Sequence, residues 1–236
     1  MCIGVWRSLG TSEGMIDVHS TRAWIRHSAL RPHRHVNRHG ERGPLGVTTP
    51  CTRFVALLRG VNVGRANRVP MAELRDLLGS LGYGEVRTLL NSGNAVFGGT
   101  EPAPLRHAER IRAALVAKLD VDVPVIVKSS KEMAAIVADN QLAQIAVDSS
   151  RLLVAFTGDA RSLQDLAALA ALVERPEQLQ VGRHAAYLWC ANGILQSKAG
   201  AALLGKHGRA ATTRNWATVL KIDALLRQGA HLPSVP

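Results

Sequence analysis

Between Thr52 and Lys128 the chain alternates short apolar runs with amphipathic helical patterns in an order that few folds can satisfy. Phe54 to Leu58 is a continuous apolar run, the signature of a strand buried on both faces. Met71, Leu74, Leu77, Leu78 and Leu81 fall on one stripe at helical spacing, and Pro70 suits a first helical turn. Val86 to Leu90 and Ala95 to Phe97 flank Asn91-Ser92-Gly93-Asn94, whose residues tolerate the positive φ of a hairpin turn. A second helix is predicted on Ala108, Ile111, Leu115 and Leu119. After Asp122 and Pro124 comes the strand Val125 to Lys128. The order is β-α-β-β-α-β, the ferredoxin-like arrangement.

The pattern starts again further on. A helix through Met133, Ile136 and Val137 leads to a strand at Leu152 to Thr157 and a helix on Leu163, Leu166, Ala170 and Val173. Two strands then face each other across Gly182 to His184, the second with Tyr187 and Trp189 on one face and Leu188 and Cys190 on the other. Helices at about Ser197 to His207 and Arg214 to Arg227 close the chain, the last with Trp216, Val219, Ile222 and Leu226 on one stripe. The expected class is α+β, with two similar ferredoxin-like halves, about 51–129 and about 150–236, packed into one unit.

Residues 1–50 show neither period, and they are expected to be an irregular, disordered or mis-annotated extension, with Val47 or Leu45 as alternative starts. His33, His35 and His39 are spaced closely enough to converge on a metal, and Arg31, Arg34, Arg38 and Arg42 to grip nucleic acid. A solvated basic tail accounts for both features more simply. The formal net charge of +11 divides into +4 for residues 1–50 and +7 for the remainder. The body is thus only moderately basic.

Cys2, Cys51 and Cys190 are widely spaced and form no Cys-x-x-Cys pair, which argues against a disulfide framework or a zinc knuckle. The longest apolar run, Leu163 to Val173, contains Gln164 and Asp165 and is too short to span a bilayer. The expectation is a soluble cytoplasmic protein without membrane partners, metal or cofactor, its oligomeric state open. His107, His184, His207 and His231 are scattered and read as surface residues, so acid–base catalysis has no recognisable pair.

RFVALLRGVNVGRANRVPMAELRDLLGSLGYGEVRTLLNSGNAVF, followed by YLWCANGILQSKAGAALL and AATTRNWATVLKI, resembles the domain of unknown function 1697 family over roughly residues 52–226. The resemblance implies an α+β fold with no assigned reaction or ligand, and a boundary just before the first strand. Three positions depart from the family pattern. Arg65 stands in place of a second Gly in the first loop, Asn91 in place of Gln, and Ala199-Gly200 in place of Leu-Thr.

Three loops are the candidate ligand-binding positions. Arg59 to Val69 offers Arg59, Gly60, Asn62 and Gly64 between a strand and a helix, where glycines let backbone N–H groups converge on an anion. It lacks the Gly-Lys-Ser/Thr ending of a P-loop. Ser92, Gly93 and Asn94 form the second loop, and an ordinary tight hairpin explains them equally well. Ser197-Lys198 and Thr213-Arg214-Asn215 stand at two predicted helix starts, with Ser197 and Thr213 as caps. Lys198 and Arg214 oppose the helix dipole there, which calls for an anion or a neighbouring carboxylate. The leading expectation is a module binding a phosphate-bearing ligand, nucleotide or nucleic acid. The alternative is an enzyme acting on a small phosphorylated or acidic substrate, with Lys198 or Arg214 stabilising developing negative charge.

Overall fold

A computed structural model describes residues 51–64 and 67–228. The expectations for residues 1–50, for Arg65 and for His231 lie outside them. All described residues belong to one unit.

The first half runs β1 (Thr52–Leu58), α1 (Met71–Ser80), β2 (Gly84–Leu89), β3 (Asn94–Gly99), α2 (Pro104–Leu119), β4 (Val125–Ser129) and α3 (Ser130–Asp139). The second runs β5 (Leu152–Thr157), α4 (Ala160–Asp165), β6 (Gln178–Val181), β7 (Ala185–Trp189), α5 (Lys198–Leu204), β8 (Ala211–Asn215) and α6 (Trp216–Arg227). Two four-stranded sheets result, ordered β2-β3-β1-β4 and β6-β7-β5-β8. Every pairing in them is antiparallel. The class is α+β, with two halves alike in element order and sheet order.

The unbroken apolar runs follow from burial on both faces of each central strand. In β1, Phe54, Ala56 and Leu58 face Leu74, Leu77 and Leu78 of α1 and Ile111 and Leu115 of α2. Val55 and Leu57 face the other way, into a core that also takes Val154 and Phe156 of β5. Met133 and Ile136 of α3 and Trp216, Val219, Ile222 and Leu226 of α6 fill that central layer. Leu153 and Ala155 complete the alternation against Leu163, Leu166 and Leu169. The molecule is therefore layered, with α1 and α2 outside one sheet, α4 and α5 outside the other, and α3 and α6 between the sheets.

Several local readings need correction. Thr212 to Arg214 belong to the edge strand β8, not to a helix start; Asn215 ends the strand as the N-cap of α6, which begins at Trp216. The helix expected through Val173 is six α-helical residues followed by a 3-10 stretch, Leu166–Leu172. α5 stops at Leu204 with Gly205 as its C-cap, short of the expected His207, and the chain then folds back so closely that a Cβ at Gly208 would fall 1.8 Å from the Leu203 carbonyl oxygen. Pro70 is the N-cap of α1. His107 is not a surface residue: it is 3% exposed. Its Nδ1 lies 2.9 Å from the Tyr83 hydroxyl and its Nε2 2.8 Å from the Glu101 carbonyl oxygen.

In the central layer the buried Tyr187 hydroxyl donates to the Ile136 carbonyl at 2.8 Å, tying β7 to the last turn of α3. Burial pushes that hydroxyl's pKa above the ordinary tyrosine range. Removing the donor strands a buried carbonyl, so Tyr187→Phe is expected to cost about 1–2 kcal/mol. Urea denaturation of the variant beside the parent chain measures it; an unchanged midpoint would show the hydrogen bond to be without net value.

Candidate functional site

Arg214 sits on β8 with 8% of its surface exposed, pointing into the junction between the two sheets. Its guanidinium meets five acceptors and no carboxylate. Nε–H donates to Asn94 Oδ1. One terminal nitrogen donates to Thr212 Oγ1 at 2.9 Å and to the Thr213 carbonyl at 2.7 Å. The other donates to the Leu58 carbonyl at 2.8 Å and to the Ser92 carbonyl at 2.9 Å. Five donors is the full complement of the side chain. Burial lowers its pKa to about 10, which leaves the cation intact at neutral pH.

Each acceptor is held by its own local structure. Leu58 ends β1, and its N–H donates to the Gly93 carbonyl at 2.9 Å, closing the turn against the strand. Gly93 has φ 71°, and a Cβ there would lie 2.6 Å from Val61 Cγ2 and 2.7 Å from Leu58 Cβ, so the turn admits only glycine. Asn94 is 1% exposed and donates to the Leu89 carbonyl and Ser92 Oγ, each at 2.9 Å, which aims its Oδ1 at Arg214.

Over this junction opens a cleft of about 440 Å³, lined by Leu58, Arg59, Gly60, Val61, Val63, Ser92, Leu203, Leu204 and Ala211 to Arg214. Its walls are largely apolar and come from both halves. Among the described residues Arg59 and Arg214 supply two cations, and no carboxylate or imidazole joins the lining. Among the described residues the only side-chain hydrogen bond of Arg59 goes to the Gly208 carbonyl. Arg59 thus keeps donors that Arg214 does not.

Of the twelve positions singled out from sequence, Arg59, Gly60, Ser92, Thr213 and Arg214 meet at this cleft. Gly93 and Asn94 stand behind it as supports. Asn62 and Gly64 line a separate hollow of about 340 Å³ beside Arg68 and the start of α1. The Asn62 amide is engaged there, accepting from Val69 N–H at 2.9 Å and donating to the Asn91 carbonyl at 2.8 Å. Ser197, Lys198 and Asn215 line neither hollow. Ser197 caps α5 through Gly200 N–H at 2.8 Å. Asn215, not Thr213, caps α6 through Thr218 N–H at 2.9 Å. Lys198 finds the compensating carboxylate its position calls for, Glu174 at 2.6 Å, on an exposed surface where such a pair adds little stability.

Sequence reasoning missed the apolar half of the lining, Val61, Val63, Leu203, Leu204 and Ala211. The β-branched Thr212-Thr213 pair was the available signal for a strand. Among the described residues no group of His, Cys, Asp and Glu is arranged to hold a metal ion, and no helix is long and apolar enough to cross a membrane.

Arg214→Lys keeps the charge but replaces a planar fork of five donors with three on a point charge. At least two acceptors of the junction then lose their donor, and the expected cost is about 2–4 kcal/mol. Chemical denaturation with both sheets followed together measures this. A loss under about 0.5 kcal/mol would mean that the fork contributes no more than its charge.

No curated protein matches the chain. The solved structure of the conserved bacterial protein SP0830 from Streptococcus pneumoniae is similar at 26% sequence identity, with a TM-score of 0.65 over 75% of this chain and 100% of that one. A family model described as a protein of unknown function (DUF1697) matches residues 51–187, more than half of the chain, and the chain belongs to that family.

Proposed function

We propose that the protein binds a small phosphate-bearing ligand of nucleotide size in the cleft between its halves. The observation that carries this reading is the cleft lining: among the described residues, two guanidiniums, one with uncommitted donors, set among apolar walls with no acid in the lining. Its 440 Å³ falls within the range of small-molecule sites. Walls on both sides suit a compact ligand better than a strand of nucleic acid, which asks for an open basic face with stacking aromatics. Tyr187 and Trp189 are buried in the central core and offer no such platform.

In this reading Arg59 is the anion anchor, able to meet a phosphate through paired N–H donors. Arg214 contributes charge from behind without giving up its acceptors. Ser92 and Thr213 border the anion, and Val63, Leu203 and Leu204 meet the apolar body of the ligand. Among the described residues no imidazole or carboxylate lines the cleft to move a proton, which favours the binding reading over the catalytic one. Each half is read as a ferredoxin-like unit, on the support of its β-α-β-β-α-β order and of sheets in which the first strand lies between the third and fourth.

Isothermal titration of the full chain with AMP, ADP and inorganic pyrophosphate tests this. At least one of these probes is expected to bind. Arg59→Ala should weaken it by about tenfold or more, the scale of a lost charge-assisted pair. Lys198→Ala, remote from the cleft, should leave the affinity unchanged. Absence of heat with all three probes, or affinity indifferent to Arg59, would overturn the proposal.

A further inference from the structure

The two sheets end alike. β4 closes with Lys128 and then Ser129, the cap of α3, while β8 closes with Arg214 and then Asn215, the cap of α6. Both cations are 8% exposed. There the likeness stops. Every N–H of Arg214 has an acceptor, whereas the Lys128 ammonium has no hydrogen-bond partner among the described residues. Its ion-pair neighbour is Glu132 Oε1 at 3.7 Å, too long for a hydrogen bond. The other oxygen of Glu132 is occupied, accepting from Ser129 N–H and the Ser129 hydroxyl at 2.8 Å each.

Lys128 and Glu132 share the lining of a hollow of about 190 Å³ between α2 and β4, with Gly158 across from them. Pro104, Leu105, Ala108, Val125, Ile126 and Val127 supply the remaining, apolar wall. Burial pushes the Lys128 pKa below the ordinary lysine value, although Glu132 and the more distant Asp159 pull it up. A buried amine lining a largely apolar hollow, with a carboxylate at ion-pair distance, is the arrangement from which lysine acts as a nucleophile.

We propose that Lys128 is a nucleophilic amine at the floor of a second site, one that takes small apolar aldehydes or ketones and condenses with them. The neutral amine's lone pair forms the C–N bond as the carbonyl π pair moves to oxygen, which takes up a proton. Nitrogen's second pair then forms C=N as the hydroxyl leaves with another proton as water. Glu132, 3.7 Å away, is placed to accept the protons that nitrogen loses and return them to the oxygen. Amine and carbonyl compound are consumed, and imine and water are produced, without oxidant or reductant. The apolar wall favours the uncharged amine and the body of a short-chain substrate alike.

Reductive trapping tests the site without an identified substrate. The chain holds six lysines, and Lys118, Lys131, Lys198, Lys206 and Lys221 serve as internal standards for Lys128. The full native chain is treated with butanal and cyanoborohydride at pH 7, and the butylated positions are followed in time by peptide mass mapping. Lys128 is expected to react several-fold faster than each of the other five, and to lose that lead when the chain is unfolded in guanidinium. If Lys128 reacts no faster than the exposed Lys198 and Lys206, or keeps its lead in the unfolded chain, the proposal is overturned.

Discussion

A guanidinium buried without a counterion must find five neutral acceptors or leave the interior, and the junction of this molecule is arranged around that requirement. Arg214 reaches from the edge of one sheet to the end of β1 and to the turn preceding β3 in the other. None of its partners is charged, so the desolvation of the cation is offset by dipoles alone. That dependence makes the geometry exacting. The Leu58 and Ser92 carbonyls and Asn94 Oδ1 must converge to within hydrogen-bond reach of one planar group, and Thr212 and Thr213 must approach it from its own strand.

The convergence also explains why a cleft exists where it does. β1 ends at Leu58, the chain then turns through Gly60 at φ 63°, and Gly93 leaves no room for a side chain between Leu58 and Val61. The same constraints that hold the acceptors in place strip bulk from the surface above them. Arg59, one residue beyond the last acceptor of β1, is left with spare donors at the rim. The second junction shows what happens without the fork. Lysine at the equivalent place reaches no carbonyl among the described residues, and a smaller hollow remains beside an amine whose ion-pair neighbour is Glu132.

Much of the fold was legible because burial on both faces leaves a plain signal. The runs at Phe54 to Leu58 and Leu152 to Thr157 read as strands, and the stripe Trp216, Val219, Ile222 and Leu226 read as the inward face of a helix. β8 was not legible: five residues at a sheet edge, four of them polar, carry no apolar alternation, and Arg214 looked like a helix-start cation. His107 looked like a surface residue because its Tyr83 and Glu101 partners are fixed only by tertiary packing. For the site, loop chemistry pointed to Arg59, Gly60 and Ser92. What sequence could not distinguish was a cation with spare donors from one fully bonded within the protein. Arg59 and Arg214 have the same side chain, and only the count of carbonyls around each separates them.

The central claim, that Arg214 is a fully bonded cation joining the two sheets, is most directly tested by nitrogen-15 NMR of its guanidinium at neutral pH. Five bonds to fixed acceptors predict a guanidinium that does not rotate, with separate terminal N–H resonances shielded from exchange with water. A single averaged terminal signal in fast exchange with solvent would contradict the account.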